Sequence, residues 1–361
     1  MLNSFISGVL TIALPLLMKE RNVDVITIGL IFASLPLIFQ FTRMVFATVS
    51  DFSGRKVFFI FNGVLSVLSG FVYYLAFTPL QFLLGKVSEG IKSASLWAVN
   101  RAFLLEESAM KRESLFHLRT TAYVSMAAGS LSAGFLIVWL SYTNTLLLCI
   151  LVGSSVIPIS LVLLNRRKEE FSTKRALHYL DLRKKERIFQ IFFLLFFIMG
   201  LSFGFKDGYV FTWFLSDSGF DAEPIGVFLG IQILLAGLSS HMFTKKIKIE
   251  KLILLSGFLY SLVLLLLGFS SYVLAAFFVV MYGIVEGLLS GGQEGILVKI
   301  SKEESYGTDI GLLMMGLHGG RTISLALSGF LIDLWGFIVP FFLSALIFVI
   351  FYVPTYFLLK K

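Results

Sequence analysis

The sequence predicts an all-α polytopic membrane protein, with twelve transmembrane helices in two parallel six-helix repeats. Three observations support this. First, 57% of the 361 residues are hydrophobic and 14% are charged, with a mean hydropathy of +0.89. A soluble domain carries about 25% charged residues because water must cover it, and 22 acids with 30 basic residues cannot coat a body of this size. Second, the central stretch Arg166 to Arg187 holds nine basic and four acidic residues, a net of +5, and cannot cheaply enter hydrocarbon. Third, short motifs on its two sides recur at a nearly constant spacing.

The apolar runs set the order of the spans. Span 1 covers residues 1–18 and span 2 residues 25–49, joined by a polar turn from Lys19 to Asp24. Span 3 lies near 56–76, and Thr78-Pro79 turns the chain into span 4, near 80–104. The charged stretch Glu106–Arg119 precedes span 5, near 120–140, and a short loop at Ser141–Asn144 leads to span 6, which ends before Asn165. Residues 1–165 form the first bundle, 166–187 a cytoplasmic linker and 188–361 the second bundle. Span 7 covers 188–214, a polar connection runs from Ser216 to Pro224, and span 8 occupies 225–243. Lys245, Lys246, Lys248 and Lys251 mark a basic turn before span 9, which ends near Gly268. Span 10 covers 272–298, Lys299–Asp309 is polar, span 11 ends near Trp335-Gly336, and span 12 finishes before Lys360-Lys361.

Twelve spans put both termini on one side. The connections after spans 2, 6 and 8 are positively charged, so the positive-inside bias places both termini in the cytoplasm of a multi-pass cell-membrane protein. The formal charge of +8 is thereby a topology signal, and no nucleic-acid partner is expected. Cys149 is the single cysteine, so no internal disulfide forms, and its apolar run suits a small buried hydrophobe.

Glu89-Gly90 recurs as Glu286-Gly287, Ser93 as Ser290, Glu106-Glu107-Ser108 as Glu303-Glu304-Ser305, and Gly29 as Gly226, each pair 197 residues apart. Gly134-Phe135-Leu136-Ile137 recurs as Gly329-Phe330-Leu331-Ile332 at a spacing of 195. Six spans on each side of the linker make the repeats parallel, related by an axis along the membrane normal. By that register position 1 matches position 198, so span 1 is shorter than span 7. Its eighteen residues rise about 27 Å and barely cross a core of about 30 Å. Either the helix is short at its cytoplasmic end or the recorded start lies downstream of the real one.

At the turn after span 2, Ala47-x-Val49-Ser50-Asp51-Phe52-Ser53-Gly54-Arg55-Lys56 resembles the signature loop of the major facilitator superfamily, Gly-x-Leu-Ala-Asp-Arg-x-Gly-Arg-Lys. Ala47 replaces the first glycine and Phe52 an arginine, while Asp51, Gly54, Arg55 and Lys56 are in place. The resemblance covers essentially the whole chain and implies the major facilitator fold, with alternating access between two six-helix halves. It also implies a cytoplasmic latch at Asp51, Gly54, Arg55 and Lys56; the plainer reading makes Arg55 and Lys56 topology charges. In span 4, Lys86-x-x-Glu89-Gly90 resembles the family's Arg-x-x-x-Gly signature with lysine for arginine. In span 5, Gly129-Ser130-Leu131-Ser132-Ala133-Gly134 resembles the antiporter signature Gly-Pro-x-x-Gly-Gly without its proline. Span 1 lacks an acidic residue, but Pro15 interrupts its hydrogen-bond ladder.

Charged residues at membrane depth are costly, so each must face a cavity, pair or be neutralised. Arg43, Lys86, Glu89, Lys92, Arg101, Glu286, Glu294, His318 and Arg321 are the substrate or coupling candidates; the plainer reading has several of them pairing or snorkelling. Glu89 and Lys92 are three apart and share a helix face. Lys206 and Asp207 are assigned to the external mouth, and as neighbours on a helix they do not share a face.

The chain has no phosphate loop, zinc motif or Cys/His cluster, so neither an enzyme nor a cofactor is expected. The expected activity is secondary active transport of a small organic solute by a functional monomer in membrane lipid, with H+ as the candidate coupling ion at Glu89 or Glu286. Several basic candidates tilt the solute toward negative charge or many acceptors. Efflux of amphipathic or drug-like compounds is the alternative, and a non-transporting membrane sensor or lipid-moving protein is a third.

Overall fold

The computed structural model describes residues 1–53, 55–107, 111–163, 182, 185–243, 247–302 and 306–360. Within helices, the side chains at 47, 48, 50–53, 55, 98, 99, 101–107, 111–117, 163, 306 and 307 lie outside that description. The regular elements among the described residues are helices. Before the linker come α1 (Leu2–Glu20), α2 (Val25–Ser53), α3 (Arg55–Tyr74), α4 (Pro79–Glu107), α5 (Lys111–Ser154) and α6 (Val156–Leu163). After it come α7 (Arg187–Gly204), α8 (Val210–Asp217), α9 (Ala222–Phe243), α10 (Ile249–Gly268), α11 (Tyr272–Ile300), α12 (Tyr306–Trp335) and α13 (Ile338–Lys360).

Ten helical stretches among the described residues are long and apolar enough to cross a membrane. One of them, 118–162, has 45 residues. At 1.5 Å per residue it would extend about 67 Å, roughly twice a bilayer core of about 30 Å. It folds back instead. Ser141 has φ 71° and interrupts α5, and residues on both sides of it return to the start of α1: Gly129 packs on Phe5, and Gly153 approaches Ile6. The four-residue loop expected at 141–144 is thus a single left-handed residue. The helix α4 is not among the ten because Lys86, Glu89 and Lys92 interrupt its middle.

Span 7, expected as one helix over 188–214, is broken. It stops at Gly204 and resumes at Val210, and Gly208 between them has φ +67°, which an L side chain rarely adopts. A Cβ there would also lie 3.1 Å from Leu325 Cδ2. Span 5 begins as a helix at Lys111, well before its apolar run, so Arg119 lies on α5 and not in a loop. Asp24 caps α2 by accepting the Thr27 N–H at 2.8 Å, and the Thr27 hydrogen bonds hold its carboxylate below the usual range.

The helices before and after the linker meet along two seams, α2 against α12 and α5 against α9. Without a hydrophobic drive inside lipid, close backbone packing must hold such seams, and glycine permits it. A Cβ on Gly29 would lie 3.0 Å from Leu325 O and 3.1 Å from Gly329 N. A Cβ on Gly226 would lie 2.9 Å from both Ser130 O and Gly134 N. On the opposing helices, Gly329 approaches Val25 O and Ile26 Cα, while Gly134 approaches Ala222 O and Glu223 Cα. Each of these glycine–backbone contacts in one seam therefore has its counterpart in the other at the repeat spacings of 197 and 195. The obstructing atoms are backbone, which no rotamer change moves. Gly134→Val and Gly329→Val should each cost about 1–3 kcal/mol, read as a lower unfolding midpoint of the purified protein. Gly311→Ala, whose Cβ would meet nothing within 4 Å, should leave the midpoint unchanged or raise it.

Candidate functional site

The linker-proximal end of the bundle is called here the linker end, and the opposite one the far end. At the far end, α1 meets α8. Pro15 has no N–H to give to the carbonyl four residues earlier, so Thr11 O is left over within α1. Thr212 of α8 takes it, donating its hydroxyl to Thr11 O at 3.0 Å. One turn on, Lys19 Nζ donates to Ser216 Oγ at 2.9 Å and sits 5.1 Å from the Trp213 ring centre. Tyr209 OH lies 3.0 Å from Ser328 Oγ, beside Gly29. The helix α1 continues through Pro15; the proline leaves its ladder short by one bond, which the other half supplies.

The break between α7 and α8 carries Lys206 and Asp207 inward. Lys206 is buried, and its Nζ pairs with Asp207 Oδ1, while Asp207 Oδ2 receives Arg321 Nη2 of α12 at 3.1 Å. The pairing of adjacent residues, which do not share a face on a regular helix, occurs where the helix is interrupted between Gly204 and Val210, with Gly208 at φ +67°. The Lys206 ammonium also lies 4.8 Å from the Tyr282 ring centre. On α11, Glu286 accepts a hydrogen bond from Gln232 Nε2 of α9. Lys206, Asp207 and Arg321 lie within its electrostatic reach.

Glu89, the counterpart of Glu286, is placed differently. Lys86 donates to Glu89 Oε2 at 2.8 Å, and Tyr73 OH donates to the same oxygen at 2.6 Å. All three are buried, and Lys86 also stands 4.2 Å from the Phe32 ring centre. The hydrogen-bonded partner of Glu89 is Lys86 and not Lys92, although each stands three residues away, and Lys92 remains within electrostatic reach of the carboxylate. Lys92 is buried, and its Nζ has no hydrogen-bond partner. Ser130, which stands where the antiporter signature has proline, donates to Gly8 O at 3.1 Å and so ties α5 to α1.

Toward the linker end, Arg119 Nη1 pairs with Glu294 Oε1 at 2.6 Å across α5 and α11. Tyr123 OH lies 3.3 Å from Ser290 Oγ one turn away. Arg43 lies 5.9 Å from the Phe39 ring centre, and that ring meets His318 edge-on at 5.1 Å. Lys56 donates to Leu161 O of α6 at 2.6 Å, a bond inside the first group of helices and not across the seam. Gly54 and the side chains of Asp51, Arg55 and Arg101 lie outside the described residues. Lys185 pairs with Asp309 at 2.6 Å, anchoring the end of the linker to the start of α12.

The structure thus brings Lys206, Asp207, Glu286 and Arg321 together, gathers Arg43 and His318 at the α2–α12 seam, and separates Lys86, Glu89 and Lys92 into the first bundle. Arg119, Tyr123, Gln232, Tyr282 and Ser290 are further polar groups that the sequence reading passed over. A signal for them existed: Tyr282, Glu286, Ser290 and Glu294 recur every fourth residue along one strip of α11. Among the described residues, no group of three or more His, Cys, Asp or Glu is placed to hold a metal ion.

The sequence profile of the Major Facilitator Superfamily matches residues 1–289 and 242–361. The chain belongs to the major facilitator superfamily. No curated protein matches it significantly in sequence. Among solved structures, the nucleoside transporter NupG in a point-mutant form superposes with a TM-score of 0.83 at 15% identity, covering 100% of this chain and 97% of that one. The NupG structure without that substitution gives 0.79 at 15% identity, with the same coverage. The human organic anion transporter MFSD10 gives 0.72 at 14% identity, covering 99% of this chain and 96% of that one. At such identities these likenesses establish the fold, and the chain is an all-α, multi-pass major facilitator protein.

Breaking a buried ion pair by removing one member costs about 3–5 kcal/mol, because the other charge is left without compensation. Glu89→Gln should therefore lower the unfolding midpoint sharply by isolating Lys86 between Phe32 and Tyr73. Adding Lys86→Met should recover much of the loss in the same thermal measurement, giving a non-additive double-mutant cycle.

Proposed function

We propose that the protein is a secondary active transporter that moves a small organic solute by alternating access, with a proton taken up at Glu286. One observation carries the reading: of the two repeat-related glutamates, Glu89 is hydrogen-bonded to a lysine, whereas Glu286 is hydrogen-bonded to an amide. A carboxylate at membrane depth is expensive, and Glu89 is compensated inside its own bundle. Glu286 stands half-buried, within electrostatic reach of Lys206, Asp207 and Arg321. It is the better proton carrier.

The architecture proposed for that cycle has twelve crossings. The reversal at Ser141 divides 118–162 into two, α4 adds one, and α7 with α8 form one broken crossing. Residues 1–165 and 188–361 are then two parallel six-helix units joined by the linker, and the matched glycine contacts of the two seams support their relation by an axis along the membrane normal. The Lys and Arg distribution supports placing both termini and the linker end in the cytoplasm. Thr212–Thr11 and Lys19–Ser216 tie the halves together at the far end, and Arg119–Glu294 and Tyr123–Ser290 tie them toward the linker end, so the solute site would lie between these two sets of contacts. Lys206 and Asp207 then lie below the far-end closure, inside the solute path. The relatives in structure carry nucleosides in one case and organic anions in the other, which supports a small organic solute.

The test is proton flux into proteoliposomes after a pH jump, screened against pooled metabolites. A solute-dependent flux should appear in the parent and fall at least about tenfold in Glu286→Gln, with the variant still folded. Retention of the full flux by that variant would remove Glu286 from the coupling role.

A further inference from the structure

Arg43 of α2, Lys206 of the broken span 7 and Arg321 of α12 are three of the cations where these elements meet. Asp207 serves both Lys206 and Arg321, so this triad holds two positive charges against one negative. Its members are not equally placed. The Lys206 side chain is 4% exposed and the Arg321 side chain 32% exposed, so the excess positive charge reaches the solute path through Arg321. Asp207 engages one guanidinium nitrogen, Nη2, of a group with five N–H donors, and Nε is buried without a hydrogen-bond partner.

One turn earlier on α12, His318 Nδ1 is likewise buried without a hydrogen-bond partner. Arg43 of α2 and Arg321 both lie within electrostatic reach of His318, and Phe39 packs against its ring. Two unspent hydrogen-bonding atoms, His318 Nδ1 and Arg321 Nε, therefore stand one turn apart on α12, the latter on a guanidinium that shares Asp207 with Lys206 and the former within electrostatic reach of a second guanidinium, Arg43, on α2.

We propose that the solute is an organic carboxylate, seated on the free donors of Arg321 beside His318 and drawn toward Arg43 across the α2–α12 seam. A planar two-oxygen anion matches the guanidinium fork, which a neutral or cationic group does not. The proposal rests on the transport reading and deepens it, because Glu286 shares the same space. The groups around Glu286 are Gln232 on α9, Lys206 and Asp207 in the broken span, Arg321 on α12, Arg119 on α5 and, through electrostatics, Tyr260 on α10 and Tyr282 on α11. An ionised Glu286 repels an incoming carboxylate in this low-dielectric space, and a protonated one does not. Proton and carboxylate therefore favour each other's binding, and by linkage the effect is reciprocal.

The test is ligand-induced thermal stabilisation of the purified full chain, at neutral and at mildly acidic pH. The probes are lactate, succinate and benzoate, their amides lactamide, succinamide and benzamide, benzylamine, and inorganic phosphate. At least one carboxylate should stabilise the protein while its amide does not, and the apparent affinity should rise on acidification. Glu286→Gln should bind the same carboxylate without that pH dependence. Arg321→Lys, which keeps a charge beside Asp207 and so protects folding, should weaken it by about tenfold or more. Equal binding of amide and carboxylate, preference for the amine, stabilisation by phosphate alone, or no response to any carboxylate would each overturn the proposal. The transport reading fails separately. If a carboxylate binds as expected but drives no proton flux in proteoliposomes, recognition stands and coupling falls; if a neutral solute drives a flux that Glu286→Gln abolishes, coupling stands and the carboxylate falls.

Discussion

The structure depends on backbone-to-backbone contact between its two groups of helices. Lipid offers no hydrophobic reward for bringing two apolar helices together, so the seams must gain from close van der Waals contact and peptide dipoles. Gly29 against Gly329 and Gly226 against Gly134 provide that contact, at separations where a single added carbon would strike main-chain atoms. The contacts lie near the ends of α2, α5, α9 and α12 that adjoin the far-end turns, which leaves the middle of the molecule to polar groups. A seam that is tight at one end and polar in its middle is suited to pivoting, because the tight end gives a fixed line about which the other can move.

The proposed repeats have diverged most where chemistry is expected. Glu89 and Glu286 occupy matching places, yet Glu89 is enclosed by Lys86 and Tyr73, whereas Glu286 receives an amide from Gln232. Buried ion pairs are weak sources of stability but costly to disrupt, so the Lys86–Glu89 pair holds its two charges against each other inside the first group of helices. The second bundle keeps its charges less completely matched, with Asp207 shared between Lys206 and Arg321. Pro15 links the two halves in another way: it leaves a carbonyl in the first that Thr212 of the second satisfies.

Much of this was legible in the sequence because it is set by local or periodic features. The charged linker, the glycines at constant spacing and the intramembrane charges needed no knowledge of neighbours. The partners did need it. That Glu89 bonds to Lys86 and Tyr73, and Glu286 to Gln232, depends on which helix faces lie together. The break in span 7 was hidden for another reason. Residues 188–214 are apolar enough to read as one helix, and only Gly208, a single residue, announces the left-handed turn that puts Lys206 against Asp207. Arg119 was lost to the loop because α5 starts some nine residues before its apolar run, at Lys111. Helices that extend beyond hydrocarbon are invisible to a hydropathy argument, although their polar ends, as at Arg119 and Glu294, can carry a contact between halves.

Charge balance joins these features into one cycle. Lys206 and Arg321 stand with Asp207 and Glu286, so with Glu286 ionised the empty group carries two positive and two negative charges. The proposed proton at Glu286 and the proposed carboxylate at Arg321 are then two ways of adjusting one local charge. Either alone leaves the site unbalanced at membrane depth, where imbalance is expensive; together they leave it balanced again. A site that is cheapest to move when both ligands are aboard or both absent is the physical requirement for coupled transport. The same argument explains why Arg43 belongs to the opposite half. A carboxylate held between guanidiniums on α2 and α12 draws the seam together, so occupancy itself favours the next conformation.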